Sequence, residues 1–243
     1  MEFETIRAEI RPGGAGVLTL NRPELRNAIS VRMRKEISAC LEAWKDDPAV
    51  GVLVMTGAGA VFSAGFDLKE FRDPALTEEI FTTSSRYHRD VWKFPKPVIA
   101  AVNGPALAGG FDLAKLCDIR ICSRSAVFGH PEIKFGSPVL YTPLRWIVGE
   151  GIARDLCLSG RMMGAEEALR TGLVSEVTED AQILERALAI AANLLEAPLT
   201  ALMTTKGFMI DYGTPGMEAS FLLEHDEGFR QVLPMLAATA RKK

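Results

Sequence analysis

The chain has 243 residues, with 28 Lys+Arg against 31 Asp+Glu and a formal net charge of −3. That length suits one large domain, or one with an appended helical piece, and lets about 70–75% of the unfolded surface leave water without disulfides or metals. Hydrophobic residues at 48% and charged residues at 24% argue against disorder, and the near-balance of charge removes the electrostatic footprint of a nucleic-acid binder.

Ile6, Ala8 and Ile10 alternate with Thr5, Arg7 and Glu9, a Pro/Gly turn follows over 11–16, and Val17-Leu18-Thr19-Leu20 resumes the apolar pattern, which predicts a β-hairpin. From Ser30, a suitable N-cap, Met33, Ile37, Leu41 and Trp44 recur every three or four residues, so a helix is expected to end near Asp46-Asp47-Pro48. Residues 51–56 and 97–102 are apolar on both faces, as expected of strands buried between layers. Shorter strands are expected over 118–122 and 126–128, and the polar segment beyond Leu68 reads as helical. Past about Leu140 the strand signals stop, and helices are expected over 152–158, 165–171, 181–195, 199–209 and 217–229. Pattern and length together imply an α/β fold with a helical C-terminal region.

No apolar stretch approaches the ~18 residues of a membrane span. The opening Met-Glu-Phe-Glu-Thr-Ile-Arg lacks the basic lead and apolar run of a secretory signal. Cys40, Cys117, Cys122 and Cys157 fall outside any CxxC or Cys/His ligand spacing. They read as reduced packing residues in a cytoplasmic protein with no membrane or nucleic-acid partner.

Two stretches repeat one device, a strand leading through glycines into a helix start. The first runs Thr56-Gly57-Ala58-Gly59-Ala60-Val61-Phe62-Ser63-Ala64-Gly65-Phe66-Asp67-Leu68, the second Val102-Asn103-Gly104-Pro105-Ala106-Leu107-Ala108-Gly109-Gly110-Phe111-Asp112. Gly57 and Gly59 match the first two glycines of a dinucleotide fingerprint, but Phe62 occupies the third position, and no Gly-Lys-Ser/Thr of a phosphate loop exists anywhere. Glycines let a ligand approach the main chain, and two such ends facing each other would aim two N–H groups at a carbonyl oxygen gaining charge. The alternative is a pair of tight strand-to-helix turns.

These motifs resemble the crotonase superfamily, the enoyl-CoA hydratase/isomerase proteins. The resemblance runs from Asn21-Arg22-Pro23, with Asn27-Ala28, through Phe62-Ser63-Ala64-Gly65-Phe66-Asp67-Leu68, Val102-Asn103-Gly104 with Gly109-Gly110, Cys117-Asp118-Ile119-Arg120 and Phe128-Gly129-His130-Pro131-Glu132, to about Val177. It implies a crotonase-like spiral of β-β-α units, with an acyl-CoA-binding core over 1–190 and a helical oligomerisation region over 191–243. It further implies a homotrimer or homohexamer, in keeping with apolar Met203, Phe208, Met209, Met217, Phe221, Leu222 and Leu223 on the terminal helices. By matching position, the N–H groups of Phe66 and Gly109 would be the oxyanion donors and Asp112 and Glu132 the proton-handling side chains. Arg26, Ala64, Gly65, Asp67, Leu68, Gly110 and Leu140 would contact the substrate. No metal and no separate cofactor is expected, coenzyme A being part of the substrate.

The departures are informative. Asp112 stands where the hydratases carry Glu, a retreat of roughly 1.5 Å. An Asp/Glu pair resembles the dienoyl-CoA isomerase branch, but the further Asp of that branch is here Leu140, and the glycine-rich run after the Glu is replaced by Gly136-Ser137-Pro138-Val139-Leu140-Tyr141-Thr142-Pro143. Glu24 occupies the usual basic position near the CoA phosphates, with Arg26 beside it, and Glu227-Gly228-Phe229 lacks the following basic tail. His130 reads as a packed residue rather than a base. Ser63 lacks the Gly-x-Ser-x-Gly setting of a hydrolase nucleophile. The expected reaction is hydration of a 2-enoyl-CoA through an enolate, with enoyl- or dienoyl-CoA isomerisation, or non-catalytic acyl-CoA binding, as the alternatives.

Overall fold

The computed structural model describes residues 2–213 and 216–241. Strands β1 (Ile6–Arg11) and β2 (Ala15–Leu20) form the expected hairpin, with Ile6 opposite Leu20 and Arg11 opposite Ala15. Helix α1 (Val31–Lys45) starts where the Ser30 side chain accepts from the Met33 N–H, and its Met33, Ile37, Leu41 and Trp44 stripe is buried. Strand β3 (Val52–Gly57), buried at every residue, lies parallel to β2. The polar stretch beyond Leu68 makes two short 3-10 turns, Glu70–Arg72 and Pro74–Leu76, before α2 (Thr77–Trp92).

The spiral then becomes visible. Strand β4 (Val98–Val102) joins the main sheet, β5 (Ala106–Leu107) lies in a second sheet, and α3 (Gly109–Lys115) closes the turn. Strand β6 (Ile119–Ser123) returns to the main sheet and β7 (Val127–Gly129) to the second. Ser63 bridges Ala106, so the loop after β3 stacks on the same edge as β5 and β7. Helices α4 (Thr142–Val148) and α5 (Glu150–Ser159), strand β8 (Met162–Gly164), α6 (Ala165–Arg170), β9 (Glu176–Thr178), α7 (Ile183–Leu194), α8 (Leu199–Phe208), α9 (Met217–Ser220) and α10 (Gly228–Arg241) follow. The main sheet runs β1-β2-β3-β4-β6-β9 and the smaller β5-β7-β8. Parallel strands covered on both faces must be apolar throughout, which is why β3 and β4 read as unbroken runs. One face meets α1 and the second sheet; the other meets α7 through Ile183, Ala187 and Ala191. The boundary expected at residue 190 falls inside α7.

The sequence pattern missed α4, because Pro138 and Pro143 suggest a break; Pro143 instead sits in the first helical turn, where its absent N–H costs nothing. The single helix expected over 217–229 is divided by a π-helical turn, Phe221–Glu227. That turn folds back on α2, where Phe221 packs on Trp92 and Arg89 meets both Glu218 and Asp226. Met217 and Phe221, expected on an outer face, are therefore buried, whereas Phe208, Met209, Leu222 and Leu223 are exposed. All four cysteines are buried and unpaired. No single described helix is long and apolar enough to cross a membrane.

Candidate active site

The two glycine loops meet, and the asparagines of the motifs hold them. Asn27 donates from its amide to the carbonyls of Ala58 and Val61 and accepts from the Arg22 N–H, while Asn103 accepts from Gly57 N–H and donates to Gly59 O. Ser63 donates to the Asn27 carbonyl and accepts from Gly65 N–H, a loop-building role. Gly65 has φ +95°, and a Cβ there would lie 2.8 Å from the Ala108 Cβ and 3.3 Å from the Gly109 nitrogen, so only glycine lets the loops abut. A Cβ on Gly109 would stand 2.8 Å from the Phe66 ring, which covers it. Ala108, between the two, is itself held at φ 51°, a strained conformation for alanine.

Phe66 is bridged to Ile29 through its neighbours: Ile29 N–H donates to Gly65 O and Asp67 N–H to Ile29 O. That pairing turns the Phe66 N–H to the opposite side. Among the described residues neither it nor the Gly109 N–H at the start of α3 finds an acceptor. Unpaired main-chain donors are uncommon in protein interiors and are ready for a ligand oxygen.

One turn into α3, Asp112 meets a cluster that the sequence reading did not anticipate. The buried Lys115 ammonium lies 2.8 Å from Asp112 Oδ1, 2.9 Å from His130 Nε2 and 2.6 Å from the Leu140 carbonyl. His130 Nδ1 lies 2.8 Å from Glu132 Oε1. Glu132 Oε2 is buried without a hydrogen-bond partner among the described residues. Burial pushes the Glu132 carboxyl up to about 7, against the opposing pull of its own backbone N–H and of Lys115. Burial and Lys115 together push His130 down to about 3, so the ring is neutral at ordinary pH. One ligand-type atom from each of Asp112, His130 and Glu132 falls within 4.8 Å of the others, a metal-like spacing. The Lys115 ammonium lies within 2.9 Å of both Asp112 Oδ1 and His130 Nε2, so this donor set is organised around a lysine side chain.

The remaining expected residues divide. Gly110 packs its Cα against Ser63, and Leu140 is buried in the core while its carbonyl serves Lys115. Asp67 is paired with Arg22 at 2.9 Å, and its Oδ1 accepts from Lys69 N–H. Ala64 and Arg26 are tied main chain to main chain, with Arg26 exposed at φ 52°, and Leu68 is 68% exposed. Neither Arg26 nor Leu68 approaches the carboxylates through any contact in the described residues. Beneath the Phe66 ring lies buried Arg34, its guanidinium carbon 4.7 Å from the ring centre. Lys115 was legible only as an i+3 neighbour of Asp112, since a lysine on a short helix is ordinarily solvated.

Comparison with known proteins gives a consistent picture. Residues 11–224 match the family described as enoyl-CoA hydratase/isomerase. A protein of Rhizobium meliloti named a probable enoyl-CoA hydratase is 40% identical over 209 residues, covering 85% of this chain and 81% of the relative. The hydroxycinnamoyl-CoA hydratase-lyase of Pseudomonas fluorescens is 38% identical over 214 residues, covering 84% and 77%. The crystal structure of an enoyl-CoA hydratase from Mycobacterium tuberculosis H37Rv superposes with a TM-score of 0.83 at 33% identity, covering 97% of this chain and 100% of that one.

Proposed function

Because the chain belongs to the enoyl-CoA hydratase/isomerase family, we propose that it hydrates 2-enoyl-CoA thioesters at the junction of its two glycine loops. The observation that carries this reading is the pair of unpaired N–H groups, Phe66 and Gly109, set beside two carboxylates. The thioester oxygen accepts from both N–H groups as it gains enolate character, an interaction that strengthens toward the transition state. A carboxylate oxygen of Asp112 and one of Glu132 lie within 4.8 Å, a span one water can bridge with two hydrogen bonds of about 2.8 Å. The water oxygen bonds to Cβ, the π electrons of the double bond move onto the thioester oxygen, and the enolate then takes a proton at Cα. One carboxylate accepts the water proton and the other carboxyl supplies the proton to Cα, and the two re-equilibrate with solvent. A Glu132 carboxyl displaced to about 7 both holds and releases a proton near neutrality.

One observation favours isomerisation instead: Asp112 Oδ1 is ion-paired with Lys115, whereas Glu132 Oε2, also buried, has neither a hydrogen bond nor an ion pair among the described residues. A single carboxylate suffices to move a proton between two carbons. Turnover of 2-enoyl-CoA in ¹⁸O water distinguishes these. A hydratase places the label on the β-carbon, and unlabelled product with a shifted double bond would overturn the hydratase reading. Binding without turnover of any enoyl-CoA would leave an acyl-CoA-binding protein.

The same reading includes no cofactor beyond the CoA of the substrate. It also includes a cytoplasmic setting, supported by four buried unpaired cysteines, and a role in fatty acid metabolism. Exposed Phe208, Met209, Leu222 and Leu223 support assembly as a homotrimer or homohexamer. Light scattering that shows a monomer at micromolar concentration would contradict that assembly.

A further inference from the structure

Lysine's ammonium has three donors and no acceptor. Lys115 hydrogen-bonds to His130 Nε2 and the Leu140 carbonyl and is ion-paired with Asp112 Oδ1 at 2.8 Å. Nε2 must therefore offer its lone pair, so the neutral ring carries its proton on Nδ1. That N–H points at Glu132 Oε1, 2.8 Å away. From this chain of contacts we propose that Lys115 and His130 are a positioning pair for the two carboxylates, Lys115 setting the His130 tautomer and the Nδ1–H of His130 aiming Glu132 so that its free oxygen faces the substrate. The inference rests on the hydratase reading for its kinetic consequences, but the tautomer itself does not.

Removing the ammonium reverses the logic. With no donor at Nε2, the ring is free to place its proton there, toward Asp112 Oδ1 at 3.8 Å. The Nδ1 lone pair would then face Glu132 Oε1, an arrangement tolerable only when Glu132 carries the proton. Loss of the nearby cation acts in the same direction. The other titratable groups facing the cluster do not substitute for Lys115. Cys157 of α5 is pushed up to about 11, Tyr87 of α2 is raised by burial, and His88 of α2 is driven well below its ordinary value. Glu224, also within electrostatic range of Cys157, has its oxygens bound by Tyr141 N–H, Thr142 N–H and Thr142 Oγ1. A group that fixes the orientation of a reacting carboxylate through a second residue typically matters 10- to 100-fold.

The chain contains only three histidines, which makes the tautomer directly measurable. In protein labelled with ¹⁵N-histidine, the His130 signal, assigned by its loss in His130→Asn, should show a neutral ring protonated at Nδ1 throughout pH 5.5–8.5. Lys115→Met should move that proton to Nε2 or convert the ring to one that titrates. An Nε2–H tautomer in the wild type, or an imidazolium titrating near 6.5, overturns the pair. With enoyl-CoA substrates, Lys115→Met and His130→Leu should lower kcat about 10- to 100-fold with KM within about twofold. Lys115→Met should also shift the limb of the pH profile that reports Glu132 to higher pH by about one unit. His130→Asn, whose amide can still donate to Glu132, should recover most of that loss. Wild-type kcat and pH profile in Lys115→Met and His130→Leu, or equal losses in His130→Leu and His130→Asn, overturn it as well. Since the NMR needs no substrate, a protein inactive on every enoyl-CoA would count against the hydratase reading alone, and the tautomer would still decide the pair.

Discussion

Two buried charge networks flank the Phe66 loop, and they are finished to different degrees. On the α1 side, Arg34 donates to the carbonyls of Ser30 and Ile80, to Thr83 Oγ1 and to Glu70, while both Glu70 oxygens accept from the Val31 N–H. Next to it Arg22 joins Asp67 to the Ala28 carbonyl. On the α3 side, His130 Nδ1 meets Glu132 Oε1 and Lys115 is ion-paired with Asp112 Oδ1, but Asp112 Oδ1 and Glu132 Oε2 are both left buried without a hydrogen-bond partner among the described residues. A saturated network stabilises a loop because breaking it leaves an uncompensated charge. An unsaturated one keeps an oxygen at high free energy, available to a substrate or a water. Under the proposed function, that difference distinguishes scaffold from chemistry more clearly than burial does, since both networks are largely buried.

The comparison is easiest to break at Glu132. Glu132→Gln removes the charge with little change in shape and should lower turnover by roughly 100- to 10,000-fold, the usual worth of a positioned acid or base. In the hydratase reading Asp112→Asn suffers a loss of similar order, whereas an isomerase relying on Glu132 tolerates it. Steady-state rates with both variants near wild type would show that the open oxygens are not the reactive ones.

The saturated side should fail in stability instead. Arg34→Met leaves Glu70 without its buried partner and should cost on the order of 3 kcal/mol, a fall in Tm of roughly 6–12 °C. An unchanged Tm by calorimetry would mean that Glu70 is sufficiently served by α1 alone.

Linkage sharpens the contrast at smaller magnitude. Glu132 titrates near 7 in the folded state against 4.5 in the unfolded chain, so the folded protein binds more protons in that window and loses stability as pH rises through it. A non-titrating Glu132→Gln protein should match wild type near pH 4.5 and gain on it up to pH 7, by about 3 kcal/mol at most. His130 acts with the opposite sign. Its folded value of about 3 lies below the ordinary 6.5, so stability falls as pH drops below 6.5, and His130→Asn should flatten that part of the curve. Denaturant titrations at pH 5, 6.5 and 8 measure both. A gain for Glu132→Gln that does not change with pH would disprove the assigned cause.

The smallest effect tests Asp67, expected to contact the substrate and found paired with Arg22. Asp67→Asn should lower stability by about 1 kcal/mol through loss of the Arg22 pair, with KM for acyl-CoA within twofold. A tenfold rise in KM would instead restore Asp67 to the substrate contact that the resemblance implies.

Local pattern was sufficient for the hairpin, the Ser30-capped helix and the buried strands, because alternation, a 3.6-residue stripe and an unbroken apolar run each demand one kind of burial. The motifs also placed both glycine loops and both carboxylates. What they did not disclose is which polar groups complete each other. Asn27 and Asn103 reach loops 31 to 46 residues away, and Lys115 reaches His130 and Leu140 across 15 and 25. His130, dismissed as a packed residue by its composition, becomes the link between the carboxylates once the second sheet brings β7 against β5. Met217 and Phe221 turned inward for a similar reason: a π-helical turn over α2 decides which side of an apolar segment is the outside. By itself the sequence determined most of the strands and helices of the core and the two glycine loops, all properties of residues near one another in the chain. Only the tertiary structure decided which oxygen of each carboxylate is left without a hydrogen bond, because hydrogen-bond saturation depends on groups that meet only after the spiral has closed.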